Sequence, residues 1–340
     1  MSETKQSTSY TYHEYNASTY VNDIMQEDMR AFSEGSKTKT GYANLDAITS
    51  LYPGLYVLGA ISSLGKTTFV QQMSDQLAKA GENVIFFSLE QSSLELVSKS
   101  LSRIMNENGY EHPMTSLQIR KNGNDERVIK AVEEYKTYAS NITIVECSFR
   151  VTIDDIDNYV TDYIKSRNVK PIVIIDYLQV IQAVNNLAST KDAVDMHVRR
   201  LKQLQSDNKI VMIVISSLNR QNYLSTIDFE SFKESGGIEY TADVVWGLQL
   251  SVLHDDLFNS QAKLNEKRER IREAKASNPR MIELVCLKNR FGISSYSCGF
   301  NYYPQFDRYE PIMDNIPDEV LEYVDADSFV EIKPWMNCPF

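Results

Sequence analysis

The stretch "GAISSLGKTT", from Gly59 to Thr68, decides the fold of this 340-residue chain. It follows the pattern of a phosphate-binding loop, G-x-x-x-x-G-K-[ST], except that Ala60 stands where the first glycine is expected. Such a loop must follow a strand and begin a helix, so that backbone N–H groups and the helix dipole face the phosphates. The apolar run "LYVLGA" before it and the helical pattern "KTTFVQQM" after it meet this requirement. The sequence therefore predicts a nucleotide site within an α/β fold.

The residues of this loop have predicted parts in holding a nucleoside triphosphate and Mg²⁺. Gly65 lets the backbone fold closely around the phosphates, Lys66 places a charge on the β and γ phosphates, and Thr67 offers its hydroxyl to Mg²⁺. The loop entry at Ala60 tolerates a methyl group if its backbone dihedrals stay in an ordinary region. The predicted nucleotide-binding residues are Ser62, Ser63, Gly65, Lys66, Thr67 and Thr68.

Two acidic residues at the ends of predicted strands support the same site. Asp176 ends the apolar run "PIVIID", where a carboxylate can hold the Mg²⁺ shell through water. Glu90 ends "VIFFSLE" and can orient the attacking water beside the γ-phosphate. Either acid alone could be an ordinary strand-end residue, and Gly-Lys-Thr alone could be a chance helix start. Because all three motifs reach the carboxyl ends of predicted strands in this order, we predict one hydrolytic site.

Beyond the loop, short apolar runs alternate with helical stretches. Further strands are predicted at "NITIVEC", "IVMIVIS", "ADVVWGLQL" and "MIELVCLK". A capping box, "TIDD" (Thr152–Asp155), predicts the start of a helix. The segment "QAKLNEKRERIREAKASNPR" (Gln261–Arg280) is dense in charges of both signs and predicts a solvated helix. Continuous apolar strands separated by helices imply a mainly parallel sheet covered by helices on both faces.

Composition excludes several classes of protein. The formal charge is 35 − 46 = −11, which argues against a broad basic face for nucleic acid but leaves room for a ring that holds a strand through a few loops. No run approaches the ~18 consecutive apolar residues of a membrane span, and the N-terminus has no apolar signal-peptide core. The four cysteines lack C-x-x-C spacing, which favours reduced thiols. We expect a cytoplasmic protein without a membrane partner.

The motifs, together with "SSLNRQ", "FKESGGIEYTADVV" and "CLKNRFG", resemble in order those of the C-terminal domain of DnaB-type replicative helicases. The resemblance runs from Thr40–Asp46 to about Phe306–Glu310, and members of this family often carry alanine at the position of Ala60. It implies an α/β fold, a RecA-like P-loop ATPase core with a mainly parallel sheet flanked by helices. The implied division is an N-terminal tail with a linker helix at residues 1–39, the ATPase domain at 40–312 and a C-terminal extension at 313–340.

The resemblance also implies the substrate ATP, the cofactor Mg²⁺ and a set of catalytic residues. Lys66 and Thr67 match the phosphate and Mg²⁺ positions. Asp176 matches the Mg²⁺ carboxylate and Glu90 the catalytic base. Lys288 and Arg290 are expected to reach across a subunit boundary to the neighbour's γ-phosphate, where added cations stabilise the transition state. On the residues alone, this pair would be strand-end cations in a solvated turn.

Two further segments resemble contact regions of this family. "FKESGG" resembles the pore loop, whose side chains and backbone amides touch the phosphates of single-stranded DNA. An apolar stripe at helical spacing precedes the linker "SEGSKTKTG" (Ser33–Gly41) and fits the helix that docks onto an adjacent subunit. The implied assembly is a hexameric ring of identical chains. The predicted DNA-binding residues are Arg220, Lys233, Glu234 and Gly236, and the stripe consists of Val21, Ile24, Met25, Met29 and Phe32.

Two departures from the family pattern leave alternatives open. Ser217 stands where the family usually carries a glutamine that senses the γ-phosphate, and only about forty residues precede the core instead of a globular domain. The predicted function is an ATP-dependent helicase or translocase on single-stranded DNA, with a separate primase or loader as a partner. A nucleotide-controlled assembly switch without unwinding is the first alternative. A recombinase-like filament is the second, against which the "DYLQ", "KESG" and "KNR" motifs argue.

Overall fold

The computed structural model describes most of the chain. Its fold is built around one nine-stranded sheet. The described residues are 16–35, 38–182, 190–219, 224–232, 236–260 and 263–313.

The sheet has the order β3-β2-β4-β5-β1-β6-β7-β8-β9. All neighbours from β3 to β6 pair in parallel, whereas β6 to β9 pair antiparallel. The predicted mainly parallel sheet is therefore confirmed, with an antiparallel extension at one edge. The strands are β1 (Gly54–Ala60), β2 (Val84–Ser88), β3 (Ile142–Glu146), β4 (Ile172–Asp176), β5 (Val211–Ser217), β6 (Val244–Leu250), β7 (Arg280–Asn289), β8 (Ser297–Tyr303) and β9 (Arg308–Pro311).

Helices connect and flank the strands, as the alternation of patterns predicts. The capping box at the start of α8 is present, because Thr152 and Asp155 each bond the other's backbone N–H. None of the described helices is long and apolar enough to cross a bilayer. The helices are α1 (Ala17–Thr19), α2 (Met25–Gly35), α3 (Ala43–Asp46), α4 (Lys66–Lys79), α5 (Ser93–Glu107), α6 (Ser116–Lys121), α7 (Glu126–Ala139), α8 (Ile153–Arg167), α9 (Thr190–Asn208), α10 (Gly236–Thr241), α11 (Asp256–Asn259) and α12 (Leu264–Ala276).

Aromatic side chains fix α4 against the antiparallel edge of the sheet. The Phe69 ring contacts Tyr42 at a centroid distance of 4.5 Å and Tyr309 at 5.2 Å. Gln72 makes a pair of 2.7 Å hydrogen bonds with the backbone of Tyr309 in β9. Buried aromatic contacts and paired amide bonds of this kind hold an element in one orientation. The position of α4 matters for the site, because its first turn carries Lys66 and Thr67.

The N-terminal segment forms the predicted helix. A π-helical turn, Tyr20–Ile24, joins α1 to α2. The Phe32 ring stacks on Tyr52 at 4.7 Å, and Lys209 forms a 3.3 Å ion pair with Asp28. The predicted start of the linker at Ser33 is wrong, because α2 continues to Gly35. Serine and glutamate are tolerated within a helix, and glycine is the first residue here that favours its end.

Candidate active site

The phosphate-binding loop lies between β1 and α4, as the sequence predicts. Gly65 caps the start of α4 with φ of +77°, in the left-handed region that favours glycine. A Cβ atom at this position would also lie 2.7 Å from Cζ of the Tyr302 ring. Glycine is thus required at Gly65 by both backbone conformation and space. The 14-residue helix α4 directs its first N–H groups and its dipole toward the loop.

Ala60 is the last residue of β1 and is buried in the parallel sheet, where it pairs with Ser217 of β5. Its backbone is extended, so this position does not require a glycine. The Ala60 carbonyl oxygen accepts a 3.0 Å hydrogen bond from Lys66 Nζ. The missing glycine at the loop entry therefore leaves the loop intact.

Thr67, in the first turn of α4, contacts Asp176, the last residue of β4. Thr67 Oγ1 donates a 2.5 Å hydrogen bond to Asp176 Oδ2. Burial raises the pKa of Asp176 above its usual value; the bond from Thr67 opposes this shift, and the nearby negative charge of Glu90 adds to it. A cation at this point would favour the ionised carboxylate.

This oxygen pair suits Mg²⁺. Mg²⁺ prefers hard oxygen ligands and in nucleotide sites takes one or two from the protein, with phosphates and waters completing its shell. The hydroxyl of Thr67 and the carboxylate of Asp176 supply such oxygens side by side. Across the described residues, no group of three or more His, Cys, Asp or Glu forms a separate metal site.

Glu90 follows β2, and the pairing of β2 with β4 brings it beside Asp176. Ser88 is level with Asp176 in the sheet, and the backbone N–H of Leu89 donates to the Asp176 carbonyl oxygen at 2.9 Å. Glu90 is exposed at the mouth of a cavity of about 370 Å³. The residues lining this cavity are Ser62, Ser63, Gly65, Lys66, Thr67, Thr68, Glu90, Gln91, Lys99, Asp176, Tyr177, Ser217, Tyr302 and Asp307. Every predicted nucleotide-binding residue thus lines one cavity with both predicted acids.

Several cavity residues have no motif in the sequence analysis, among them Lys99, Tyr302 and Asp307. Lys99 of α5 lies 3.9 Å from Asp307, and Asp307 accepts a 3.2 Å hydrogen bond from Thr68 Oγ1. Burial lowers the pKa of Lys99, opposed by the charges of Asp307 and Asp176. Burial also raises the pKa of Tyr302 to about 12. Strand β8 was not predicted, because its alternating burial and its glycine give a weak apolar pattern. Tyr302, which lies in this strand, therefore could not be connected with the loop.

Lys288 and Arg290 lie elsewhere, and neither lines the cavity. They stand at the end of β7, whose last residue, Asn289, pairs with Val244, the first residue of β6. Val244 in turn pairs with Tyr56 in β1. Four residues of strand separate this level from Ala60, which is about 13 Å along the strand direction alone. Within one chain, the two cations are therefore at the opposite end of the sheet from the phosphate loop.

The pair is held by the segment that precedes β6. Lys288 Nζ donates to the Glu239 carbonyl oxygen at 2.6 Å. Arg290 forms a 3.2 Å ion pair with Asp243, while its side chain remains half exposed. Burial lowers the pKa of Lys288, and the charge of Arg290 lowers it further. Both cations thus have partners in their own chain.

The predicted DNA contacts are only partly described. Arg220, Lys233 and Glu234 lie outside the described residues, and Gly236 is the first residue of α10. Ser217, at the position of the family's glutamine, lines the cavity, and its backbone N–H donates to Gln179 Oε1 at 3.1 Å.

Comparisons of the sequence with known proteins indicate one family. The model of the "DnaB-like helicase C terminal domain" matches residues 38–311. The curated "Replicative DNA helicase DnaB" of Mycoplasma genitalium is 31% identical over 269 residues, which are 76% of this chain and 53% of that protein. The chain therefore spans about half the length of the curated relatives it matches.

Solved structures share the fold. One of them, described as an ATPase domain, has a TM-score of 0.69 at 18% identity and covers 88% of this chain and 100% of that chain. A second, described as a DnaB-like replicative helicase and its interactions with primase, has a TM-score of 0.67 at 18% identity, covering 88% of this chain and 67% of that one. The RecA-like fold predicted from the sequence is confirmed.

Proposed function

Because this chain belongs to the DnaB-like helicase C-terminal domain family, we propose that it hydrolyses ATP with Mg²⁺ and uses this hydrolysis to move along single-stranded DNA. One observation carries the proposal. Lys66, Thr67, Asp176 and Glu90 come from three separate parts of the sequence and line one cavity at the start of α4. This is the set of groups that phosphoryl transfer to water requires.

Each group has a proposed role. The backbone N–H groups from Gly65 onward, with the helix dipole, bind the phosphates, and Lys66 adds a point charge to the β and γ phosphates. Thr67 and Asp176 hold Mg²⁺, which when bound neutralises charge on the phosphate oxygens. Glu90 accepts a proton from the attacking water and orients it.

The active assembly is proposed to be a hexameric ring in which Lys288 and Arg290 act on the neighbour's ATP. Their distance from their own phosphate loop supports this proposal, because about 13 Å of strand separates the two ends of the sheet. A guanidinium brought to the γ-phosphate stabilises charge in the transition state. Hydrolysis is thereby made dependent on the contact between subunits.

DNA is proposed to pass the segment around residues 233–236 and Arg220. Contacts from a few side chains and backbone amides to phosphates position a strand without reading its sequence. This mode suits a chain with a net charge of −11, because only the local charge at the pore has to be favourable. A separate primase or loader is the proposed protein partner.

Ser217 favours one second candidate, an ATPase that uses nucleotide as an assembly switch. Ser217 lines the cavity, but its hydroxyl is too short for the reach expected of the glutamine that it replaces. Measuring ATP hydrolysis with and without single-stranded DNA, alongside strand displacement, separates the two functions. DNA-stimulated hydrolysis with displacement supports the motor, whereas nucleotide-dependent assembly without displacement supports the switch. Imaging with a non-hydrolysable ATP analogue distinguishes a closed ring from an open filament.

The N-terminal helix supports the ring proposal through an exposed apolar face. Val21, Met25 and Met29 follow each other at intervals of four residues and are 56%, 36% and 45% exposed. Phe32 continues this face but also stacks on Tyr52 of its own chain. Residues four apart share a helix face, so a neighbouring subunit would bury a continuous apolar surface. We propose that this face docks on the adjacent chain.

Replacing Val21 and Met25 together with serine is expected to weaken the ring and leave the monomer folded. Both side chains are exposed, so their loss removes little packing within the chain, whereas it removes apolar area from the proposed interface. Light scattering measures the assembly and thermal unfolding the monomer. Leu264→Ser, an exposed leucine of the solvated helix α12, serves as the control. Unchanged assembly of the double variant would show that this face is not an interface.

A further inference from the structure

Asp243 joins three elements at the end of the sheet that carries Arg290. Its buried carboxylate accepts hydrogen bonds from the backbone N–H of Leu55 at 2.8 Å and from Lys202 Nζ at 2.5 Å. Arg290 Nη1 is the third donor, at 3.2 Å. The backbone N–H of Arg290 also donates to the Asp243 carbonyl oxygen at 3.0 Å. A buried carboxylate with this many donors has a fixed position, so it can fix the position of the arginine as well.

The last turn of α10 is the second support of the pair. The carbonyl oxygen of Glu239 accepts from Lys288 Nζ at 2.6 Å, and that of Tyr240 accepts from Arg290 Nη2 at 3.3 Å. The final carbonyls of a helix lack partners within it and carry partial negative charge, so cations there are stabilising. The two cations therefore supply hydrogen-bond donors to the last carbonyl groups of α10.

The start of α10 is fixed by a different contact. The backbone N–H of Gly237 donates to Asp195 Oδ1 at 2.8 Å, and a Cβ at Gly237 would overlap this carboxylate. This helix of six residues is thus held at its start by Asp195 and at its end by the two cations.

We propose that Asp243 is the positioning residue for Arg290, with the last turn of α10 as the second support of the guanidinium. This inference rests on the proposed function, because it requires Arg290 to act on the neighbour's nucleotide. Arginine offers five N–H donors, so it can keep Asp243 while a phosphate replaces the Tyr240 carbonyl oxygen. Asp243 therefore keeps the guanidinium in place while it binds the neighbour's phosphate.

The test compares steady-state ATP hydrolysis with single-stranded DNA in the full chain and its variants. Asp243→Asn is expected to lower kcat by about ten- to a hundredfold, the cost of misplacing a transition-state group by about 1 Å, with KM for ATP unchanged. In a chain that already carries Arg290→Ala, the same substitution should cause no further loss, because residues acting through one another are not additive. An equal loss in both backgrounds, or no loss in either, would overturn the proposal.

Two controls separate positioning from stability. Asp255→Asn removes the acid of an exposed pair, 3.0 Å from Arg270, and is expected to leave kcat unchanged. Tyr240→Gly loosens the last turn of α10 without loss of core packing, since this side chain is 76% exposed. Tyr240→Gly should lower kcat only in a chain that retains Arg290, and it takes the place of Asp243→Asn in the test if that variant does not fold. A loss from Tyr240→Gly that is equal with and without Arg290 would also overturn the proposal.

The different failures are distinguishable. An unmodified chain that does not hydrolyse ATP overturns the proposed function and this inference together. Normal turnover by Arg290→Ala overturns the role of Arg290 on which both depend. If the unmodified chain is active, Arg290→Ala has a strongly reduced but measurable turnover and Asp243→Asn is fully additive to it, only the positioning role of Asp243 is wrong.

Discussion

Replacing Lys66 with alanine is expected to abolish ATP hydrolysis, with a loss of about a thousandfold or more. In the proposed site the charge of Lys66 acts on the phosphates where negative charge develops during transfer, and one such group contributes about 10²–10⁵ in rate. In the structure this side chain lies within the loop, 3.0 Å from the Ala60 carbonyl oxygen, so its removal leaves the fold intact. Phosphate release under saturating ATP and Mg²⁺ measures the effect.

The matched control is Lys79→Ala, at the end of the same helix that is farther from the loop. Lys79 Nζ lies 5.1 Å from the centroid of the Tyr138 ring. This variant should retain normal turnover. Normal turnover by Lys66→Ala would show that this loop is not the hydrolytic site.

Replacing Glu90 with glutamine is expected to preserve ATP binding and abolish turnover, trapping an ATP-bound assembly. Glutamine keeps the size of the side chain but cannot accept the proton of the attacking water, and a general base of this kind contributes about 10²–10⁴ in rate. Glu90 is exposed at the cavity mouth, so the substitution costs no core packing. Binding of a fluorescent ATP analogue and single-turnover hydrolysis measure the two properties separately.

Glu111→Gln is the control for this substitution, because Glu111 is an exposed glutamate outside the cavity. It should change neither property. Loss of binding together with turnover in Glu90→Gln would instead mark Glu90 as a residue that shapes the loop.

Most of the parallel sheet could be predicted from the sequence, because its strands are continuous apolar runs. "PIVIID" becomes β4 with all five residues buried, and "LYVLGA" becomes β1. The antiparallel strands β8 and β9 could not be predicted. Buried and partly exposed residues alternate in β8, which also contains Gly299, and β9 has only four residues. Such short or mixed patterns depend on the neighbouring strand for their stability.

The candidate site also has residues that the sequence predicts and contacts that it does not. Lys66, Thr67, Asp176 and Glu90 carry local signals, since each stands in a motif at the end of an apolar strand or the start of a helix, and the structure brings them to one cavity. Their roles remain predictions. The contacts of Asp243 had no signal, because they join Leu55, Lys202 and Arg290, which are far apart in the sequence. The pairing of β6 with β1 and β7, together with the packing of α9 against β1, brings them together.

The central claim is that the hydrolytic site is completed across a subunit boundary. Mixing Arg290→Ala chains with Lys66→Ala chains tests it most directly. If Arg290 acts on the neighbour, the intact loop of an Arg290→Ala chain can meet the intact arginine of a Lys66→Ala chain. If it acted within its own subunit, every chain in the mixture would lack one required group.

Light scattering first establishes that both variants assemble and exchange subunits, and ATP hydrolysis is then measured for each variant alone and for the mixture. We predict that each variant alone hydrolyses ATP far more slowly than the unmodified chain and that the mixture recovers hydrolysis. A mixed ring that hydrolyses ATP no faster than the two variants alone would contradict the assignment of Arg290 to its neighbour's site.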